Sequence, residues 1–398
     1  MRGLSPAVRA WAAAGLLAGS VSGCGGGGGG IDAYWVGTQV ASADLDGDGL
    51  AEVITLSTRI ESFERQIGHL KVYRQTAPGV FAAPMDHVLA RYPWRFALGD
   101  LDGDGHPDLV VTHPDLTQLS WLRQDPARPG EFLAPVMLDA AAGAYTVALG
   151  DFDGDARLDI VASGQPMQLL RQDPTQSGRF LAPQPLDAGH GVFEVAAADL
   201  DGDGRFDLAA GGGERVSVLL QTDDGFAAPR PVASTAGGGS VDHLAAADLD
   251  GDGRSDLMFV YGPNDEGDVL ASEVGLLLRD GAGDLFQPLV RTGAAHAGLS
   301  AAALGDLNGD GLIDLARGGF WPEGAGAVRQ QVIVQRQLAP PALQLEATID
   351  MPAAIAPVAI ADVTGDGRPD VLALGGDTVW ALPQRATAFS FDAVRPLR

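Results

Sequence analysis

A nine-residue acidic stretch recurs seven times along the chain and limits its possible folds more than any other feature. The copies begin at Asp44 (DLDGDGLAE), Asp100 (DLDGDGHPD), Asp151 (DFDGDARLD), Asp199 (DLDGDGRFD), Asp248 (DLDGDGRSD), Asp306 (DLNGDGLID) and Asp362 (DVTGDGRPD). They are 48 to 58 residues apart, with a mean of 53. Seven units of this length match the 368 residues after Gly30 to within three residues. The spacing therefore predicts one repeat protein over residues 31–398 with no second domain.

Each unit also contains four short apolar segments typical of β-strands. The first precedes the acidic stretch, as in TVALG, and the second follows it, as in DLVVT. A third resembles VSVLLQ, and a fourth is often introduced by Phe and Pro, as in EFLAPVML. All seven units have Ala three positions before the first aspartate, and Ala or Gly one position before it. Since alternate residues of a strand share a face, these small side chains predict a crowded innermost strand.

Four strands in each of seven units predict an all-β chain that forms a seven-bladed β-propeller of four-stranded blades. An open solenoid would need polar capping repeats at its ends, and the sequence has none. The units resemble FG-GAP/VCBS repeats, the calcium-binding blades of the integrin α-subunit head and of many bacterial surface proteins. This resemblance covers residues 31–398 and rests on seven acidic stretches in register with the strand pattern. It implies that each acidic stretch joins the first and second strands of a blade.

Closely spaced carboxylates predict a Ca²⁺ site, because calcium takes roughly six to eight oxygen ligands and offsets the repulsion between them. Positions 1, 3, 5 and 9 of the stretch offer side-chain oxygens, and the glycine at position 6 permits a sharp reversal. The resemblance implies that position 7 offers its carbonyl oxygen. We therefore expect up to seven structural calcium ions, with these ligand sets: Asp44, Asp46, Asp48, Leu50 and Glu52; Asp100, Asp102, Asp104, His106 and Asp108; Asp151, Asp153, Asp155, Arg157 and Asp159; Asp199, Asp201, Asp203, Arg205 and Asp207; Asp248, Asp250, Asp252, Arg254 and Asp256; Asp306, Asn308, Asp310, Leu312 and Asp314; Asp362, Thr364, Asp366, Arg368 and Asp370.

An EF-hand loop shares positions 1, 3, 5 and 6 but needs a glutamate at position 12 and two flanking helices. Position 12 here lies in a β-like segment and is Thr55, Val111, Ala162, Ala210, Phe259, Arg317 or Ala373, so the EF-hand interpretation fails. The seven sites should also differ in affinity. Ala156 replaces glycine at position 6 of the third stretch, and Asn308 and Thr364 replace carboxylates in the sixth and seventh. We expect the third and seventh sites to be the weakest.

The formal net charge of −26 follows largely from these stretches. Five of them carry four carboxylates and two carry three, which together make up 26 of the 52 acidic residues. Phosphate binding needs clustered lysine and arginine, so the composition argues against a nucleic-acid partner.

The first 23 residues are typical of an export signal, with two arginines in MRGLSPAVRA followed by the short apolar run WAAAGLLAGSV. The next segment, VSGC, ends at Cys24, the only cysteine, and resembles the lipobox of bacterial lipoproteins. That resemblance implies a lipidated Cys24; ordinary signal cleavage is the alternative. Residues 24–30 then form a lipidated cysteine and glycine tether. We expect an exported protein whose lipid anchors it to the bacterial cell envelope, with the outer membrane favoured and the side it faces left open.

In the resembled family, ligands bind the propeller face opposite the calcium loops. The connections predicted on that face carry Arg59, Glu61, Arg65, Trp94, Arg95, His190, His243, Asn264, Asp265, Trp321 and Glu323. Aromatic and polar side chains on loops over a rigid scaffold are typical of binding sites.

No catalytic motif such as GxSxG or HExxH is present. We therefore expect a calcium-stabilised lipoprotein that recognises a glycan or a protein without catalysis. Two alternatives stay open. One is a polysaccharide lyase acting on acidic glycans, because some rhamnogalacturonan lyases are similar in their DxDGDG blades. The other is an accessory subunit of an outer-membrane assembly.

Overall fold

Seven four-stranded antiparallel sheets follow one another along the chain in a computed structural model. The structure describes residues 34–397 except 63–64, 141–142, 236–238, 263–272, 282–284, 293–300, 324–326, 339–341 and 354–356. The predicted signal segment, Cys24, the glycine tether, Asn264 and Asp265 therefore lie outside the described residues. Within the described residues, no helix has the length and apolarity needed to cross a membrane.

Each sheet, called a blade and numbered in chain order, consists of four strands. Blades 1 to 3 comprise Tyr34–Ala43, Glu52–Ile60, Gln66–Tyr73 and Met85–Leu89; Phe96–Gly99, Asp108–Val111, Gln118–Leu122 and Val136–Asp139; Val147–Gly150, Asp159–Ala162, Met167–Leu170 and Gln184–Leu186. Blades 4 and 5 comprise Glu194–Ala198, Asp207–Gly212, Arg215–Leu219 and Arg230–Ser234; Val241–Ala247, Asp256–Tyr261, Glu273–Leu277 and Val290–Thr292. Blades 6 and 7 comprise Ala301–Gly305, Asp314–Glu323, Ala327–Gln337 and Leu343–Asp350; Val358–Ala361, Asp370–Gly375, Thr378–Leu382 and Arg395–Pro396. Short two-stranded ribbons follow the third strands of three blades: Gln75–Ala77 with Val80–Phe81, Gln172–Asp173 with Gln176–Phe180, and Gln221–Thr222 with Gly225–Phe226.

The acidic stretch joins the first and second strands in all seven blades, as predicted. The residue before the stretch pairs with the residue at position 9 each time, as Gly99 pairs with Asp108 and Ala198 pairs with Asp207. The loops therefore share one register and lie at the same end of every blade. Each first strand begins at the opposite end of its blade.

The small residues predicted for the innermost strands are needed for close approach. The first strand is an edge strand of its sheet and contacts the first strands of neighbouring blades. A Cβ added to Gly99 would lie 2.7 Å from Leu158 Cδ1, and one added to Gly305 would lie 3.0 Å from Ile360 Cγ2. A larger side chain would therefore push adjacent blades apart.

Seven apolar clusters hold the ring together, and each is formed by two adjacent blades. One of them joins blades 7 and 1, where Leu372 and Leu374 pack with Val40 and Val53. Burial of such apolar surface is worth about 25 cal/mol per Å², so each interface is a substantial source of stability. The ring is closed by packing between complete blades, since each blade uses one continuous chain segment.

Polar contacts reinforce the closure between blades 1 and 7. Lys71 Nζ donates to both carboxylate oxygens of Asp377 at 2.6 Å and lies 5.1 Å from the centroid of the Trp35 ring. The Gln75 side-chain amide donates to the Val363 carbonyl at 3.0 Å. The only lysine of the chain therefore joins the first blade to the last.

Two of the connections that were predicted to carry face residues, those between the second and third strands of blades 1 and 6, are largely strands. In blade 1 the second and third strands pair as far as Ile60 with Gln66, and in blade 6 they pair as far as Glu323 with Ala327. Trp321 and Glu323 therefore belong to an extended hairpin, and the prediction of a loop there was wrong. Pairing satisfies backbone groups that a loop would leave to water, which favours continuing the ladder.

Candidate metal centres and the opposite face

The first carboxylate organises each acidic loop through two backbone hydrogen bonds. In the second loop, Asp100 Oδ1 accepts the Gly103 N–H at 2.8 Å and Asp100 Oδ2 accepts the Gly105 N–H at 2.9 Å. The same two bonds, from positions 4 and 6 to position 1, occur in all seven loops. They wrap the backbone around the position-1 side chain.

The position-5 carboxylate accepts the N–H of position 7 in every loop. In the second loop, the His106 N–H donates to Asp104 Oδ1 at 2.9 Å, and the equivalent bond recurs in the other six. This bond fixes the backbone of position 7 next to the position-5 side chain. Their carbonyl oxygens stay predicted ligands.

Position 6 has a left-handed backbone conformation throughout. The six glycines there have φ between +80° and +88°, and Ala156 in the third loop has φ of +66°. A left-handed conformation costs a residue with a β-carbon roughly 1–2 kcal/mol. Ala156 thus adopts the backbone conformation that glycine adopts in the other six loops. Weaker binding at this loop stays a prediction.

The position-9 carboxylate is buried and anchors the loop to the third strand. In blade 2, Asp108 Oδ2 accepts the Leu101 N–H at 3.3 Å, while Oδ1 accepts the Gln124 N–H at 2.9 Å. All seven blades repeat this pair of bonds, and the exposure of the position-9 residues is at most 1%. Burial raises the pKa of Asp108 to about 6 and that of Asp159 to about 7.

The sequence reasoning missed the residue that donates to this carboxylate, which lies two positions after the third strand in six blades and at the end of that strand in blade 6. It is glutamine in six blades and Arg279 in blade 5. The signal was the recurring glutamine at the end of segments such as LSWLRQ, MQLLRQ and VSVLLQ. Some of these side chains also reach the loop of the preceding blade, as the Gln337 amide does with the Leu249 carbonyl.

Five loops bring three carboxylates close enough to hold one metal ion, with ligand oxygens within 4.8 Å of one another. The groups are Asp44, Asp46 and Asp48; Asp100, Asp102 and Asp104; Asp151, Asp153 and Asp159; Asp199, Asp201 and Asp203; Asp248, Asp250 and Asp256. In the second loop, Asp102 Oδ1 is buried and no described residue donates a hydrogen bond to it. An oxygen-only donor set with such an unsatisfied carboxylate oxygen fits a hard cation.

Arginines at or just after the ends of the third strands contact several loops. Arg74 Nε lies 3.2 Å from Asp46 Oδ2, Arg171 Nε 3.8 Å from Asp153 Oδ2, and Arg336 Nη2 3.4 Å from Asp310 Oδ2. Each guanidinium offsets part of the charge repulsion in its loop. A dication bound among these carboxylates would compete with the arginine for them.

On the opposite face, an arc of three aromatic rings lies at the starts of adjacent first strands. Trp94, Tyr145 and Phe193 each stand six positions before the first aspartate of their loops, in blades 2, 3 and 4. The Trp94 and Tyr145 ring centroids are 6.4 Å apart at 89°, and those of Tyr145 and Phe193 are 5.3 Å apart at 78°. Arg95 Cζ lies 5.6 Å from the centroid of Trp94. These three rings are called the aromatic arc below.

Polar side chains five positions before the loop tie the first strands to one another. The Phe96 N–H donates to Gln39 Oε1 at 2.6 Å, and the Val195 N–H donates to Thr146 Oγ1 at 3.0 Å. The Leu244 N–H donates to the carboxylate of Glu194 in the same way. An acceptor at this position therefore bonds the first strand of the following blade.

Four charged or titratable residues gather beside the aromatic arc: Arg95, Glu194, Asp242 and His243, here called the axial cluster. His243 Nδ1 lies 4.0 Å from Glu194 Oε2. Burial raises the pKa of Glu194 to about 8 against the opposing effect of the Arg95 charge, and raises that of Asp242 to about 7. Burial, together with Arg95, lowers the pKa of His243 to about 4, so this imidazole is neutral at pH 7.

The structure thus brings Trp94, Arg95 and His243 together, and their role in binding a ligand stays a prediction. Tyr145, Phe193, Glu194 and Asp242 lie with them but were not among the predicted face residues. Comparing the repeats five and six positions before the loop would have found them.

The remaining predicted face residues have other surroundings. Arg65 Nε and Arg59 Nη2 lie 2.9 Å and 3.4 Å from the Glu61 carboxylate, forming an exposed ion-pair chain on blade 1. His190 Nε2 lies 3.2 Å from Ser217 Oγ of the third strand of blade 4. Trp321 and Glu323 are described only in their backbone.

Comparison with known proteins places the blades in a family. The model of the FG-GAP-like repeat matches residues 44–111, 100–162, 160–210 and 199–259, which together exceed half of the chain. No curated protein matches the sequence.

Among solved structures, exotype rhamnogalacturonan lyase YesX aligns with a TM-score of 0.51 and 17% identity, over 86% of this chain and 71% of that one. BBS1N in complex with ARL6DN aligns with a TM-score of 0.48 and 12% identity, over 82% of this chain and 86% of that one. Rhamnogalacturonan lyase YesW aligns with a TM-score of 0.39 and 15% identity, over 86% of this chain and 70% of that one. At these identities the similarity to YesX concerns the fold alone. The repeat match and the seven blades establish that the chain belongs to the FG-GAP-like repeat family.

Proposed function

We propose that this propeller is a non-enzymatic recognition protein that binds a glycan on the face opposite its acidic loops. The observation that carries the proposal is the aromatic arc beside the axial cluster. The partly exposed rings of Trp94 and Phe193 can pack against the C–H face of a sugar ring, whereas Tyr145 is buried between them. The partly exposed side chains of Arg95, Asp242 and His243 can form hydrogen bonds with its hydroxyl groups. Both kinds of group lie at the starts of the first strands, on a rigid scaffold that preorganises them.

Calcium is the proposed structural cofactor of the acidic loops. The side chains at positions 1, 3, 5 and 9 would hold the ion, which supplies charge neutralisation and no catalysis. The oxygen-only donor sets, the clustered carboxylates and the orphaned Asp102 oxygen support this assignment. Seven bound ions would change the net charge from −26 to about −12.

The proposed location is the bacterial cell envelope, with a lipid at Cys24 as the membrane contact. The proposed location and lipid anchor rest on the arginines, the apolar run and the VSGC segment of the first 24 residues. Replacing Cys24 by serine should abolish incorporation of labelled fatty acid and release the protein from the membrane fraction. Retention of both label and membrane association would refute the anchor.

Glycan binding is tested on an array in saturating calcium with wild-type protein and two variants. Trp94→Ala should weaken binding by roughly tenfold or more, which corresponds to about 1.4 kcal/mol. Phe206→Ala is the matched control, because Phe206 is 41% exposed and belongs to the acidic stretch of blade 4, at the other end of the sheet. Its binding should equal that of the wild type.

The other functions give distinct outcomes in the same preparation. Unsaturated uronate products released from rhamnogalacturonan would identify a lyase and refute the non-enzymatic proposal. An array without any bound glycan, combined with stable co-purification of one envelope protein, would identify an accessory subunit. Equal glycan binding by wild type and Trp94→Ala would exclude the aromatic arc as the site.

A further inference from the structure

A buried guanidinium in blade 6 has no counter-ion or hydrogen-bond acceptor among the described residues. Arg317 lies in the second strand, where it pairs with Ala302 and Ile333 of the flanking strands. It is 0% exposed and heads the largest fully buried side chains. None of Nε, Nη1 and Nη2 has a hydrogen-bond partner there. Buried polar groups in folded proteins are satisfied in most cases, so this one requires an explanation.

The propeller does not need a charge at this position. Arg317 occupies position 12 of the repeat, and the other six units have an uncharged residue there: Thr55, Val111, Ala162, Ala210, Phe259 and Ala373. Those residues are buried in equivalent second strands. The seven-fold repetition thus provides six internal examples of the same strand built without an arginine.

The surroundings of Arg317 offer it little compensation. Alternate residues of a strand share a face, so Arg317 lies on the same side as Leu315. Leu315 packs with Met258, Val260 and Val274 in the apolar cluster between blades 5 and 6. Burial lowers the pKa of Arg317 to about 10, which leaves the side chain protonated at neutral pH. An isolated buried charge of this kind is strongly destabilising unless something neutralises it.

We propose that Arg317 binds a small monovalent anion, such as formate or chloride, between blades 5 and 6. The guanidinium offers several N–H donors in one plane, a geometry that suits a carboxylate-sized anion. The side chain is completely enclosed, which limits the occupant to a few atoms. This site is separate from the proposed glycan face and does not depend on it.

The test measures thermal unfolding of the calcium-loaded protein in sodium formate, sodium chloride and sodium gluconate at equal ionic strength. Gluconate is too large for an enclosed site and controls for screening. The wild-type melting temperature should rise with formate and chloride, because a ligand that binds only the folded state stabilises that state. Above the dissociation constant, the increase should continue with the logarithm of the anion concentration. Gluconate should give no such increase.

Arg317→Met should remove the dependence on small anions. In gluconate it should also melt above the wild type, because an apolar side chain replaces an uncompensated charge. Arg385→Met is the control, since it removes the same charge from a site that is 57% exposed and paired with Asp392 at 2.7 Å. It should keep the response to formate and chloride.

Two results would overturn the proposal: a wild type that does not respond to small anions, or an equal response in Arg317→Met. If that variant does not fold, crystals of the wild type soaked in bromide decide the matter. An anomalous peak within hydrogen-bonding reach of the Arg317 guanidinium supports the site. Ordered guanidinium density without a peak refutes it.

Discussion

Replacing Ala156 by glycine should stabilise the protein, although the change removes a methyl group. Ala156 is exposed, so its side chain contributes little packing. Its φ of +66° places it in the left-handed region that the other six loops fill with glycine. The substitution therefore relieves backbone strain without creating a cavity.

The magnitude follows from two opposing effects on the free energy of unfolding. Relief of the left-handed conformation stabilises the folded state by roughly 1–2 kcal/mol. The greater freedom of glycine in the unfolded chain offsets about 0.4–1 kcal/mol of that gain. The net stabilisation should be on the order of 0.5–1 kcal/mol, equivalent to roughly a two- to fivefold change in an equilibrium constant.

Gly204→Ala provides the mirror experiment in the fourth loop. Gly204 has φ of +86°, and a Cβ added there would meet nothing within 4 Å. Gly204→Ala should therefore lower the free energy of unfolding by about as much as Ala156→Gly raises it. The double variant Ala156→Gly/Gly204→Ala should have nearly wild-type stability.

Urea midpoints in EGTA suit this comparison, because a chain of this length would shift its melting temperature by only on the order of 1 °C. Calorimetric titration with calcium should show tighter binding to the third loop of Ala156→Gly if that loop is preformed. Destabilisation by Ala156→Gly, or shifts of the same sign in both variants, would refute the reasoning about position 6.

Three further predictions concern calcium, ring closure and pH. Exhaustive EGTA treatment should lower the melting temperature, and an unchanged value would contradict a structural role for calcium in the acidic loops. Lys71→Met removes the tie from blade 1 to Asp377 and should cost about 1–3 kcal/mol in urea unfolding; Arg128→Met, at an exposed ion pair within one blade, should leave the midpoint unchanged. Glu194 has a folded pKa of about 8 against an ordinary 4.5, so the stability it contributes is complete below pH 4.5 and is lost as the pH rises towards 8. Glu194→Gln should therefore flatten the fall in stability over that range in saturating calcium, whereas parallel curves for the two proteins would contradict the assignment.

The repeat period made the blades predictable. Four strand-like segments around each acidic stretch repeat often enough that errors in one unit are corrected by the other six. The small residues before the stretch predicted the innermost strand, and Gly99 and Gly305 show why larger side chains would not fit. The left-handed backbone conformation of Ala156 was also predictable, because the other six stretches have glycine at that position.

Contacts between repeats were harder to predict, because they depend on how units distant in sequence meet in space. Trp94 and Phe193 are 99 positions apart and belong to one arc only because Tyr145 of the intervening blade lies between them. The position-9 carboxylate was predicted as a metal ligand, but its two backbone hydrogen bonds require the end of the third strand to lie beside the loop. This contact lies within one repeat, yet the nine-residue motif alone contains no information about it, and only the recurring glutamine later in the same unit pointed to it.

Comparison of the seven units shows which positions of the repeat have the same kind of residue in every blade and which positions vary. Position 9 is always a buried carboxylate, since it fixes the loop to the third strand whether or not a metal is bound. Five positions before the loop, by contrast, Gln39, Thr146 and Glu194 all accept a backbone N–H from the next blade, so any acceptor serves there. Arg95 occupies the same position in blade 2 and supplies a positive charge instead. We therefore expect side chains on the face opposite the acidic loops to vary from blade to blade at little cost to the ring, and substitutions there should alter the proposed glycan binding more than unfolding.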